Sequence, residues 1–221
     1  MGNEPENEIR QEPRWPAVLA ILAVLLLLQI LPGRIRLFPA LVSYLLALVV
    51  LVPIAGAALT RGKKQWLQIE RTVTLLFAIF SMFGTLANLW NMISMMLRYS
   101  DRVSGLQLLT SSIAVWVTNV LLFSLAYWQL DRAGPGARAN SEKIRPDWLF
   151  PQTGVPEEAP PDWQPAFMDY LFLAYSTATA FSPTDALPLT TRAKVLMMLE
   201  SMISLATILV VAARAINILG S

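Results

Sequence analysis

Long apolar runs separated by short polar breaks dominate the chain. Residues 15–31, 40–59, 72–96, 106–130 and 195–219 each approach or exceed the length of a bilayer-crossing helix, for which about 20 apolar residues suffice. A further run, 165–181, is apolar and aromatic but short, and Pro165 and Asp169 trim it further. Pro16 suits a first helical turn, where a missing N–H does no harm. Pro32-Gly33 ends the first run, and Pro39 opens the second. Pro53 and Gly56 lie inside the second run, where neighbouring helices can re-satisfy a freed carbonyl. The pattern predicts an all-α fold: a polytopic membrane helix bundle of about five transmembrane helices plus a re-entrant half-helix over 165–181. Six spans are the alternative, if that short run crosses fully.

The polar stretches divide the chain. Residues 1–14 read as a mobile polar tail, 15–132 as a four-helix transmembrane region, 133–164 as a Pro/Gly-rich linker and 165–221 as a half-helix, loop and final transmembrane helix. Trp148, Leu149, Phe150 and Trp163 would let the linker lie at the membrane surface, as a cap over the half-helix. Trp116 and the Tyr127-Trp128 pair are candidates for an interfacial aromatic belt. The segment from 163 onward is read as the unit that organises the rest.

Two helices carry polar faces. Ser81, Thr85, Asn88 and Asn91 recur at helical spacing in the third run and share one face. Such small and amide residues usually mark helix–helix contact in a bilayer, a water-filled wall being the alternative. In the last run Glu200, Ser204, Thr207, Val211 and Arg214 make a second face. An ionisable residue within a span usually faces a bundle interior or a cavity. Asn88, Asn91, Glu200, Ser204 and Thr207 are therefore the cavity-facing candidates, with Glu200 against Asn88 or Asn91 as the packing alternative.

Composition agrees with this picture and closes off other chemistries. Of 221 residues 55% are hydrophobic and 14% charged, where a soluble domain carries about 25% charged residues. Cys and His are both absent, which removes zinc sites, thiol nucleophiles and Ser-His-Asp triads. Only Asp and Glu remain as acid or base, and no second carboxylate shares the face of Glu200, so an enzyme is not expected. No cofactor and no bound metal are expected either. The net charge of +2 comes without a basic run interleaved with aromatics, so nucleic acid is not an expected partner. The lipid bilayer is.

The half-helix, a tight polar turn and a full span suggest a pore helix, a filter loop and an inner helix. Thr177-Ala178-Thr179-Ala180-Phe181-Ser182-Pro183-Thr184-Asp185, followed by Ala186-Leu187-Pro188-Leu189-Thr190, resembles the T-x-T-T-V-G-Y-G-D stretch and proline-containing link of potassium-channel pores. Over 169–217 the chain also looks like a family of small bacterial multispanning membrane proteins with a degenerate channel-like loop and no established substrate. That resemblance implies a bacterial cytoplasmic membrane location and makes Thr177, Thr179, Phe181, Ser182, Pro183, Thr184 and Asp185 the pore-loop candidates. The departures matter. Ser182 and Thr184 stand where a potassium filter has glycines, and Pro183 stands at its tyrosine. A carbonyl filter needs backbone conformations that glycine permits and proline forbids. Potassium selectivity is therefore not expected.

What remains is a weakly selective cation pore for monovalent or divalent cations, lined by hydroxyls and an Asp185 ring. It would be a homo-oligomer, since one loop cannot enclose an axis. The alternative is a non-conducting scaffold or accessory subunit in which Ser182-Pro183-Thr184-Asp185 only links two helices and Thr190 or Thr191 caps the last one. Orientation is contested. Channel geometry puts outside the loops holding Arg10, Arg14, Arg61, Lys63, Lys64, Arg71, Arg132, Arg138, Lys143 and Arg145, against Arg34, Arg36, Arg98 and Arg102 on the other side. The positive-inside rule favours the reverse.

Overall fold

The structure is a computed structural model and describes residues 12–30, 40–60, 63–98, 105–140, 144–161, 163–179 and 185–219. The main helices are α1 (Trp15–Ile30), α2 (Ala40–Leu59), α3 (Lys64–Arg98) and α4 (Gly105–Leu130). Two short helices follow, α5 (Pro135–Asn140) and α6 (Pro151–Gly154), and then α7 (Phe167–Thr179) and α8 (Thr191–Leu219). Between the helices, β1 (Trp148–Leu149) and β2 (Leu187–Pro188) form a two-residue antiparallel ladder, Trp148 opposite Pro188 and Leu149 opposite Leu187. The described residues are all-α apart from this clasp.

The organising element is α4 rather than the C-terminal segment. α1, α3, α7 and α8 all pack on it, and α2 closes against α1 and α3. Tyr127 and Trp128, expected in an interfacial belt, are instead wholly buried at the end of α4. Trp128 meets Phe167 edge-on with centroids 5.8 Å apart. Tyr127 meets Trp148 of the linker at 4.8 Å. Trp148 and Phe150 are likewise buried, so the linker plugs the end of the bundle with its aromatics instead of laying them on the surface.

The third helix begins at Lys64, eight residues before the apolar run suggests. Its charged first turns are stabilised locally: both Glu70 oxygens accept from Arg14 Nε at 2.9 and 3.0 Å. A Cβ at Gly56 of α2 would overlap the Trp66 ring, so glycine lets α2 and α3 close up here. Pro53 lies within α2 without ending it.

Three long helical stretches, 64–94, 108–138 and 191–213, are long and apolar enough to cross a membrane, and α1 and part of α2 are shorter apolar helices. Surface and interior are arranged to match. Leu76, Phe83, Trp90, Met202 and Leu209 are exposed, while Thr74, Ser81, Thr85, Asn88, Ser112, Asn119 and Ser124 are buried. An exterior this apolar around a polar seam is the reverse of a water-soluble bundle.

Candidate functional site

The C-terminal unit starts with a helix whose cap is built into the sequence. Asp169, in the first turn of α7, accepts a hydrogen bond from the Ala166 N–H at 2.8 Å, the back-reaching half of a capping box. Thirteen residues give α7 a length of about 20 Å. Its first turn lies beside the last turn of α4, where the Tyr170 hydroxyl donates to Asp131 Oδ2 at 2.6 Å. Its last turn lies beside the third turn of α8, where Ser201 Oγ donates to the Thr177 carbonyl at 3.2 Å.

From there the chain returns to the end it left. Leu187-Pro188 pairs with Trp148-Leu149, and Leu189 N–H donates to the Asp147 carbonyl at 2.8 Å. Thr190 then caps α8, its Oγ1 accepting from Ala193 N–H at 3.3 Å. α7 and α8 therefore run side by side in the same direction, both antiparallel to α4.

Of the pore-loop candidates, Thr177 is buried and donates through Oγ1 to Leu173 O at 2.8 Å. Thr179 donates to Ser176 O at 3.0 Å. Phe181, Ser182, Pro183 and Thr184 lie outside the described residues. Asp185 is exposed and borders a small cavity of about 70 Å³ that Asp169, Ser176 and Gln152 also line.

The polar face of α8 turns inward onto α4. Glu200 has no exposed surface, and its Oε2 accepts from the Tyr127 hydroxyl at 2.5 Å. Asn119 Nδ2 donates to Ser204 Oγ at 3.0 Å and to the Glu200 carbonyl at 3.2 Å. Thr207 is buried and donates to Ile203 O at 2.8 Å. Asn88 of α3 is buried as well, and it is Tyr127 that donates to the Glu200 carboxyl. Asn91 is half-buried. Among the described residues, Asn88 Oδ1 and Glu200 Oε1 have no partner. A seam of amide, hydroxyl and carboxyl groups thus runs between α4 and α8 inside one chain.

A denser network lies at the end where α4 stops, and its members were not among the sequence candidates. Asp131 closes α4 with no exposed surface. Besides Tyr170, it accepts from Asp147 N–H through Oδ1 at 2.6 Å. Asp147 in turn accepts from Thr190 Oγ1 at 2.6 Å and from the Arg192 guanidinium through both oxygens. Arg138 donates to the Trp128 and Asp131 carbonyls at 2.7 and 3.1 Å and to Glu12 at 3.0 Å. Glu12 also accepts from Trp128 Nε1 and from Phe167 N–H, each at 2.7 Å. Residues 12–14, read as the end of a mobile tail, are thereby fixed to α3, α4 and α7. The turn that permits this geometry has left-handed φ at Arg132, Ala133 and Gly134 (48°, 63° and 96°), a conformation only glycine takes without strain. A signal available in sequence was Asp131, an acidic residue directly after the fourth apolar run of a chain with few charges.

Comparison of the chain with known protein families, with curated proteins and with solved structures gives no match.

Proposed function

We propose that the protein is a multi-pass membrane protein whose α7, returning loop and α8 form a channel-like pore module, acting as a homo-oligomer and weakly selective for cations. The carrying observation is the return of the chain: α7 and α8 start at one end, joined there by the β1–β2 clasp. That geometry supports five spans plus a re-entrant half-helix over a sixth full span. Irregular backbone at membrane depth is tolerated only when buried in protein or lining water, and Thr177 and Ala178 at the end of α7 are buried. Asp185 would supply the carboxylate ring. The bacterial cytoplasmic membrane rests on the family resemblance.

A second reading, a non-conducting scaffold, is favoured by one specific observation. The polar face of α8 is turned inward onto α4, and the face it leaves outward is apolar: Val195, Met198, Met202, Leu205 and Leu209 are exposed. Reconstitution in liposomes separates the two. The pore reading expects cation flux that falls severalfold on Asp185→Asn, and no flux in any salt would leave the scaffold. The chain has no cysteine, so Asn140→Cys and Leu189→Cys can be probed separately with an impermeant thiol reagent in intact cells. Labelling from the same side is expected of a re-entrant α7; opposite sides would mean six spans. The side labelled also decides between channel geometry and the charge count.

A further inference from the structure

Beside the first two turns of α3 lies a cleft of about 530 Å³, closed on the other side by the turn 133–137. Gln129 lines it with no exposed surface of its own, and among the described residues neither its amide oxygen nor its amide nitrogen has a hydrogen-bond partner. Leaving such groups unmade is costly, so a buried amide of this kind is a candidate to bind a ligand. Arg71 Nε, in the same cleft, is unpartnered too. A Cβ at Gly134 would stand 3.0 Å from Gln129 Oε1 and 3.6 Å from Arg71 Cδ. The bare glycine therefore leaves room beside the amide, with the Arg71 stem close by.

The charges select the ligand's sign. Lys64 and Arg71 both line the cleft, while the one carboxylate there, Glu70, is already neutralised by Arg14. Leu67, Ala133 and Pro135 make the remaining wall apolar. From Gln68 at the rim an outward stripe continues down α3 through Thr72, Leu76, Ile79 and Phe83, all exposed. A cationic cleft at the head of an apolar stripe matches an amphiphile with an anionic head.

We propose that this cleft binds the headgroup of an anionic phospholipid, its phosphate held by Lys64 and Arg71, the shift of the Arg71 side chain toward the phosphate opening the buried Gln129 amide to a headgroup hydroxyl, with the acyl chains along α3. The proposal rests on the membrane reading above but not on conduction, so a failed flux assay leaves it standing, and its own failure leaves the pore reading untouched.

The test uses the full chain in non-ionic detergent with three probes: phosphatidylglycerol, phosphatidylcholine and inorganic phosphate. Thermal unfolding and native mass spectrometry read binding. Phosphatidylglycerol is expected to raise the melting temperature and give a resolved adduct, and the other two to do neither. Lys64→Gln with Arg71→Gln should weaken the lipid by about 25-fold, taking about fivefold for each cation near the membrane surface. Gln129→Leu should fold, melt no lower than wild type, and lose the preference for phosphatidylglycerol. Equal shifts with phosphatidylcholine would overturn the proposal, and a shift with phosphate alone would replace the lipid by a free anion. Should Gln129→Leu fail to fold, undiminished lipid binding by the double Lys64/Arg71 variant overturns it on its own.

Discussion

The molecule treats its carboxylates in two ways. At the end where α4 stops, Glu12, Asp131 and Asp147 have both carboxylate oxygens engaged, by Trp128, Phe167, Arg138, Tyr170, Thr190, Arg192 and a backbone N–H. Deeper in the bundle, Glu200 keeps one oxygen without a partner among the described residues. Saturated networks specify structure, whereas under-satisfied buried groups are where water, ions or partners have something to bind. The difference makes the linker-end carboxylates fastenings and singles out the open oxygen of Glu200 for test, and each half of that division can be broken.

The largest effect is expected at Asp131. Its two oxygens join α4 to the linker and to α7, and Asp131→Ala strands a buried hydroxyl and a buried N–H. At about 1–3 kcal/mol for each stranded group, the loss should be about 2–6 kcal/mol, seen as a lower melting temperature in detergent and poorer membrane yield. A variant melting like wild type would show that the linker end is not what holds α7.

Asp147→Ala should cost less, about 1–2 kcal/mol by thermal melting. The pair it breaks is one-sided: Asp147 is buried but the Arg192 side chain is 52% exposed and can turn to water, so the stranded-charge penalty of a buried pair does not arise. The Thr190 hydroxyl loses a bond but keeps its capping role. A larger loss than for Asp131→Ala would reverse the ranking and make the β1–β2 clasp the principal fastening.

These two residues also mark how far sequence could reach. The helices were legible because apolar runs of bilayer length leave the chain few other folds, and the cap of α8 was legible because Thr190 stands directly before its first turn. The start of α3 was not. Lys64, Gln68 and Glu70 look like loop residues until Arg14, from far upstream, neutralises Glu70. Glu12 reads as tail because the groups it bonds are 116 and 155 residues away, and nothing local announces them. Tyr127 and Trp128 were misplaced for a related reason: an aromatic pair at a helix end has the same pattern whether it faces lipid headgroups or a plugging linker. The inward face of α8 was visible as Glu200, Ser204 and Thr207, but its partners, Asn119 and Tyr127, lie on a helix whose own polar positions carry no comparable stripe.

The smallest effect on stability, and the sharpest test of the comparison, is expected at Glu200. Glu200→Gln keeps the length of the side chain and a carbonyl oxygen that the Tyr127 hydroxyl can donate to, so the contact seen at 2.5 Å has an uncharged equivalent. The Asn119 bonds reach the Glu200 backbone and Ser204 rather than the carboxyl, and they are untouched. Melting should therefore shift by less than about 1 kcal/mol, whereas Glu200→Leu removes the acceptor and should cost about 1–3 kcal/mol by stranding the Tyr127 hydroxyl. If the seam serves function, the Gln variant alters cation flux severalfold while folding normally, because the substitution changes what the unpartnered oxygen presents and little else. If flux is unchanged and only the Leu variant is affected, Glu200 is one more packing group, and its open oxygen carries no more function than the saturated carboxylates.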